Sequence, residues 1–193
     1  MGRTKNFDES RVLDKALEVF WKKGFNATSI QDLVDHLGIN RASIYDTYGD
    51  KHQLYLASLK RYRQQTSSWL LQQIRSEKSA LAIIKDFLIG TVQQGLHDQD
   101  KLGCFLVNAA TELANSDDAI KVMFEENKNT VEKVLKELIT EGQESGEIGT
   151  KHSSQALARF LFNSLSGLRV LAKANMEEKD LNEVVEVTLS ALD

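Results

Sequence analysis

The chain has no proline in 193 residues, where average usage of about 5% would supply roughly ten. Proline stops helices by removing an N–H and clashing with the preceding turn, so a chain without it can run long helices with no forced break. Apolar residues recur at three- and four-residue spacing along most of the sequence, while strand-like alternation and turn dipeptides are scarce. The expected fold class is therefore all-α. The length suits one large domain or two small ones with a real core. One cysteine excludes an internal disulfide, no apolar run approaches the roughly 18 residues of a membrane span, and the first segment, MGRTKNFDESR, lacks a signal peptide's apolar stretch. A soluble, cytoplasmic protein is expected.

Capping residues and glycines divide the chain into about nine helices. Asp8 can cap a helix that buries Val12, Leu13, Ala16, Leu17 and Phe20 and stops at Gly24. Thr28 or Ser29 caps a second helix ending at Gly38, Asn40 caps a third over 41–48, and Asp50 caps a long fourth that runs to about residue 74. Further helices are expected near 79–97, 103–114, 117–143, 153–174 and 178–191. The glycine-rich segment 142–154 is the clearest late break.

The net charge of −4 hides an asymmetry. Residues 1–63 carry 11 Lys/Arg against 8 Asp/Glu, a balance of +3, and residues 64–193 carry 13 against 20, a balance of −7. An anionic polymer, if one is bound, is expected at the N-terminal third. That third holds TSIQDLVDHLGINRASIYDTYGDKHQL, residues 28–54, which has the arrangement of a helix-turn-helix: short helix, glycine turn, short helix. Its second helix opens with Arg41, Ala42 and Ser43, with Tyr45 one turn on. Small residues permit close approach to a groove, Arg and hydroxyl groups suit base edges, and a helix N-terminus favours a phosphate oxygen. Thr28 and Lys51, at the starts of the flanking helices, are expected to clamp the two backbones.

Residues 8–60 resemble the DNA-binding domain of the tetracycline-repressor (TetR) family of bacterial transcription regulators. The resemblance is carried by the aromatic-and-glycine end of the first helix (Phe20 to Phe25), Thr28, Ile30, Leu37-Gly38-Ile39, Ile44-Tyr45, the aromatic Tyr48, Lys51 and Leu54. It implies a three-helix DNA-binding domain over residues 1–50, and a helical effector-binding and dimerisation bundle over 51–193. The implied function is a ligand-responsive repressor that binds a palindromic operator in double-stranded DNA as a homodimer and is released by a small-molecule effector. Thr28, Asn40, Arg41, Ala42, Ser43, Tyr45, Thr47, Tyr48 and Lys51 become the expected DNA contacts by position, with Arg41 and Ser43 as the base readers. Two positions depart from the family pattern. Asp46 and Thr47 stand where aromatic or histidine residues are common; a phosphate would repel Asp46, which either reads a cytosine amino group or, the preferred reading, faces solvent. Tyr48 replaces a more usual Phe and adds a hydroxyl with no evident use.

The last two helices show broad apolar faces that include Leu157, Leu161, Leu165, Leu168, Leu181, Val185 and Leu189. These can close on the body of one chain, whereas the resemblance implies a four-helix bundle with a second subunit. Trp69, Phe87, Phe105, Asn108, Phe124, Phe160, Asn163 and Met176 mix aromatic and amide groups as an effector pocket does, although helical bundles bury aromatics in any case. Cys104 follows Gly103 at a helix start, where a thiol-based redox sensor is conceivable, but a small buried residue is the plainer expectation. No metal site, cofactor or catalytic constellation is expected, the histidines being scattered apart from an Asp98/Asp100 neighbourhood near His97. A DNA-bound interaction protein whose output is a protein partner stays open as an alternative.

Overall fold

The computed structural model describes residues 7–74 and 78–193, with side chains outside 67–74. Among the described residues there are nine helices and no strand: α1 (Glu9–Lys23), α2 (Ile30–Leu37), α3 (Arg41–Tyr48), α4 (Lys51–Ile74), α5 (Ala80–His97), α6 (Phe105–Leu113), α7 (Asp118–Ser145), α8 (Ser154–Lys173) and α9 (Glu178–Ser190). The starts follow the caps. The Asp8 carboxylate accepts from the N–H groups of Ser10 and Arg11, Ser29 and Asp32 form a reciprocal capping box, Asn40 accepts from the Ser43 N–H, and Asp50 accepts from the Gln53 N–H. Ser79 and Ser153 cap α5 and α8 in the same way.

The chain forms two compact units. The first holds the residues up to Trp69 together with Phe105–Lys121; the second holds Leu70–Cys104 and Val122–Asp193. Chain order alone divides the sequence at residue 50, but α6 packs with the first unit because its Phe105 completes an aromatic cluster there. The Phe105 ring lies 5.6 Å from Tyr55, 5.9 Å from Tyr62 and 6.1 Å from Trp21, and Phe20 meets Tyr55 at 5.0 Å. Such aromatic pairs add to plain burial. Arg61 of α4 makes a two-pronged ion pair with Asp14 of α1 at 2.9 and 3.1 Å, and those hydrogen bonds raise the guanidinium pKa above its ordinary value.

The second unit is built from α5, most of α7, α8 and α9. Its core includes Ile84, Leu88, Val92, Leu135 and Ile139, and it takes in Leu157, Leu161, Leu165, Leu168, Leu181 and Val185, each at most 4% exposed, with Leu189 partly buried against them. Six of the seven residues expected at an interface with a second subunit are covered within their own chain, and Leu189 is partly buried there. Helical periodicity identifies an apolar face but not which neighbour covers it. The opposite faces of α8 and α9 expose Phe160, Val170, Val184 and Val187.

A candidate nucleic-acid interface on the helix-turn-helix

In the first unit, α2 and α3 flank a turn at Gly38, Ile39 and Asn40. Gly38 has φ 71° and its N–H donates to the Val34 carbonyl, closing α2 in a left-handed conformation that costs a side chain. Leu33, Leu37 and Ile44 anchor the pair inward at 0 to 4% exposure. The outward side of α3 then presents Arg41 and Ala42 exposed, with Tyr45 half-buried. The Arg41 guanidinium lies 5.5 Å from the centre of the Tyr45 ring and 3.4 Å from its hydroxyl, which extends the arginine along its own helix. The Ser43 hydroxyl has no partner among the described residues, although its N–H is taken by Asn40. Thr47 is half-buried and Asn40 exposed.

Three of the expected DNA contacts make hydrogen bonds within the fold. Thr28 is 1% exposed and its hydroxyl donates to the Gly24 carbonyl at 2.6 Å. Lys51 donates to the carbonyls of Phe25 and Thr28 at 2.9 and 2.8 Å and rests 4.2 Å over the Phe25 ring. Tyr48 donates its hydroxyl to the Glu9 carbonyl at 3.2 Å, and burial, then the nearby Glu9 charge, raises its pKa. The hydroxyl without an evident use in sequence thus ties α3 to the first turn of α1. Thr28 and Lys51 sit at element starts in the sequence pattern, where a phosphate contact and a loop-closing contact look alike.

Two carboxylates of the first unit make long-range contacts that the sequence does not signal. Glu112 of α6 accepts from the N–H groups of Phe25 and Asn26 at 3.1 and 2.8 Å. Asp117 caps α7 through the N–H groups of Ala119 and Ile120 and also lies 2.6 Å from His52 of α4. Burial pushes the Asp117 carboxyl up, but the His52 hydrogen bond, the backbone donors and the His52 charge outweigh it and hold it below the usual carboxylate range. Asp32 is held lower still, by the hydrogen bond from Lys23 at 2.6 Å and by Ser29. The contacts of Glu112 with Phe25 and Asn26, and of Asp117 with His52, each span more than sixty residues, so no short motif reveals them.

The seven effector-pocket candidates with described side chains are distributed over both units. Phe105 and Asn108 belong to the first unit, where Phe105 is 1% exposed in the aromatic cluster. Phe87 is buried in the core of the second unit, Met176 packs against that core, and Phe124 meets Phe162 with ring centres 6.2 Å apart. Phe160 and Asn163 are exposed on α8, and Trp69 lies outside the described side chains. Aromatics fill helix interfaces wherever those occur, so composition cannot gather them. A shallow groove does lie on the flank of α1 and α2, lined by Glu18, Val19, Lys22, Lys23, Asp32, Asp35 and His36, none of them a candidate. Cys104 is a buried free thiol. Among the described residues no group of three or more His, Cys, Asp and Glu could hold a metal ion, and no helix is long and apolar enough to cross a membrane.

A capped, glycine-turned helix pair that presents an arginine at the exposed N-terminus of its second helix is the head of a helix-turn-helix regulator. Similarity to known proteins specifies which kind. Residues 12–58 match the family of bacterial regulatory proteins of the tetR type, and residues 84–187 match the tetracyclin repressor-like C-terminal domain. The chain belongs to the TetR family of transcriptional regulators, a family of DNA-binding proteins rather than enzymes. It is 34% identical over 195 residues to the HTH-type transcriptional regulator YezE of Bacillus subtilis, with all of both chains covered. It is 28% identical to the HTH-type transcriptional repressor ComR of Escherichia coli, over 97% of this chain and 90% of that one. Among solved structures it resembles a cysteine mutant of the TetR family regulator CifR in complex with a 26-base-pair double-strand operator DNA, at 26% identity, full coverage of both chains and a TM-score of 0.86.

Proposed function

We propose that the chain is a repressor that binds a near-palindromic operator in double-stranded DNA as a homodimer and releases it when a small molecule binds the body. The observation that carries the reading is the outward side of α3, where Arg41, Ala42, Tyr45 and the unpartnered Ser43 hydroxyl lie together at a helix N-terminus. The operator complex of CifR supports duplex DNA as the partner, and the name of ComR supports repression.

The dimer is assigned to the exposed faces of α8 and α9. Phe160, Val170, Val184 and Val187 are 36 to 69% exposed, an apolar outlay that a second copy would remove from water. Asn163 and Gly167 share the α8 face, and a Cβ at Gly167 would meet nothing within 4 Å, so a neighbouring helix could come close. Twofold symmetry then gives each half-site one reading helix. Effector binding and dimerisation are assigned to the body over 51–193, with Phe87, Phe124 and Met176 as the pocket residues of the second unit. Because Phe87 is part of a closed core, an effector must part that core to enter. Its binding energy is thereby coupled to helix arrangement, and DNA and effector weaken each other reciprocally.

The test is selection of randomised duplexes by the purified full-length protein, with sequencing of what is retained. Recovery of an inverted repeat is expected, with affinity falling steeply as salt rises. Arg41→Ala should cost about 1–3 kcal/mol and blur one base pair per half-site. Intact affinity and preference in that variant would remove Arg41 from the reading surface.

A further inference from the structure

The carboxylates around the reading helix are nearly all used by the fold. Asp32 takes Lys23 and Ser29, Asp35 takes Gln31, and Asp50 caps α4. Asp46 is different: it is exposed, and it makes no hydrogen bond or ion pair among the described residues. Its position on α3 is equally specific. At about 100° per residue, Arg41, Tyr45, Ala42 and Asp46 follow one another around the helix, Ser43 comes next, and Ile44, which is 0% exposed, lies on the far side. Asp46 therefore falls between Ala42 and Ser43 on the side of α3 that faces outward.

A carboxylate there meets the negative field of the phosphates, so a merely solvated acid would weaken binding to every sequence alike. One base edge reverses that balance. In the major groove cytosine presents an N4 amino donor, whereas guanine offers two acceptors and thymine an acceptor and a methyl group. The methyl-sized side chain of Ala42, one turn before Asp46, lets the helix approach closely enough for a short side chain to reach the base edges.

We propose that Asp46 is a specificity-determining residue, its carboxylate accepting a hydrogen bond from the N4 amino group of one cytosine in each half-site and repelling acceptor edges at that position. The inference rests on the operator-binding reading above, which it deepens by assigning a base.

The experiment compares wild type, Asp46→Ala and Asp46→Asn by the same duplex selection, together with their affinities for a random duplex. All three should melt at the same temperature, since Asp46 supports no contact in the fold. Wild type should return an inverted repeat with an invariant cytosine at one position per half-site. Asp46→Ala should bind random duplex several-fold more tightly and lose about ten- to hundredfold discrimination at that position alone. Asp46→Asn should shift the preferred base toward adenine, whose paired acceptor and donor suit an amide. A uniform gain in affinity with the cytosine preference retained would overturn the inference and leave operator binding intact. Failure of folded wild type to return any repeat would overturn operator binding, and this inference with it.

Discussion

The Lys51 ammonium sits 2.8 Å from the carbonyl oxygen of Thr28, having crossed from the first turn of α4 to the start of α2. With the Phe25 carbonyl at 2.9 Å and the Phe25 ring beneath it, this lysine closes the loop between α1 and α2 and so fixes where the helix-turn-helix begins. Charged donors to buried or half-buried carbonyls are worth more than neutral ones. Lys51→Met is therefore expected to lower the unfolding free energy by about 2 kcal/mol in urea titrations. The salt slope of DNA binding should stay nearly constant, whereas loss of a direct phosphate contact would lower it by about one.

The same loop is held from the other side by Glu112, and that grip depends on a glycine. A Cβ built on Gly24 would come within 2.8 Å of a Glu112 carboxylate oxygen, and the residue's φ of 79° already disfavours a side chain. Gly24→Ala should thus destabilise the chain by more than the roughly 1 kcal/mol of backbone strain alone, because the Glu112 carboxylate must also leave the Phe25 and Asn26 N–H groups. Glu112→Ala should leave the fold intact and speed amide hydrogen exchange at Phe25 and Asn26. Unchanged exchange at both amides would remove Glu112 from the loop in solution.

The pairing of His52 with Asp117 predicts an acid-sensitive first unit. The Asp117 carboxyl titrates below its ordinary value in the folded state: burial works against this, but the His52 hydrogen bond and the backbone donors prevail. A group with a depressed folded value contributes stability that is complete above the unfolded value, near 4, and is lost as pH falls through the folded one. Asp32 adds a second contribution of the same sign. Denaturation midpoints should accordingly fall as pH drops from about 5 toward 2, and Asp117→Asn should flatten part of that fall. A profile identical to wild type would mean that the pair does not form in solution.

Much of the head was legible in the sequence because its signals are local. Asp8, Ser29, Asn40 and Asp50 cap helices a few residues away, and Gly38 marks the reversal, so four helix starts and the turn follow from short-range chemistry. What failed to show was partnership at a distance. Thr28 and Lys51 stand where a DNA clamp would, yet their hydrogen bonds go to the loop between α1 and α2. Glu112 reaches that loop across 86 residues. The leucines of α8 recur at helical spacing, which identifies their face as apolar without choosing between the chain's own core and a second copy.

That choice can be made by experiment, because the two faces of α8 answer differently to substitution. Leu165 is 2% exposed in the core of the second unit, so Leu165→Ala should cost about 2–5 kcal/mol of folding stability at any protein concentration. Phe160 is 41% exposed on the opposite side, and Phe160→Arg should leave the folded subunit's stability within about 0.5 kcal/mol. If the outward faces of α8 and α9 form the dimer, however, an isologous interface meets each substitution twice. Losing two buried aromatic side chains at about 1.5–3 kcal/mol each would raise the dimer dissociation constant at least a hundredfold, about 1.4 kcal/mol being a tenfold change. Sedimentation velocity across a concentration series would read that shift, and DNA affinity should fall with it, since a lone head addresses one half-site. An unshifted dissociation constant in Phe160→Arg would put the interface on another face of the body.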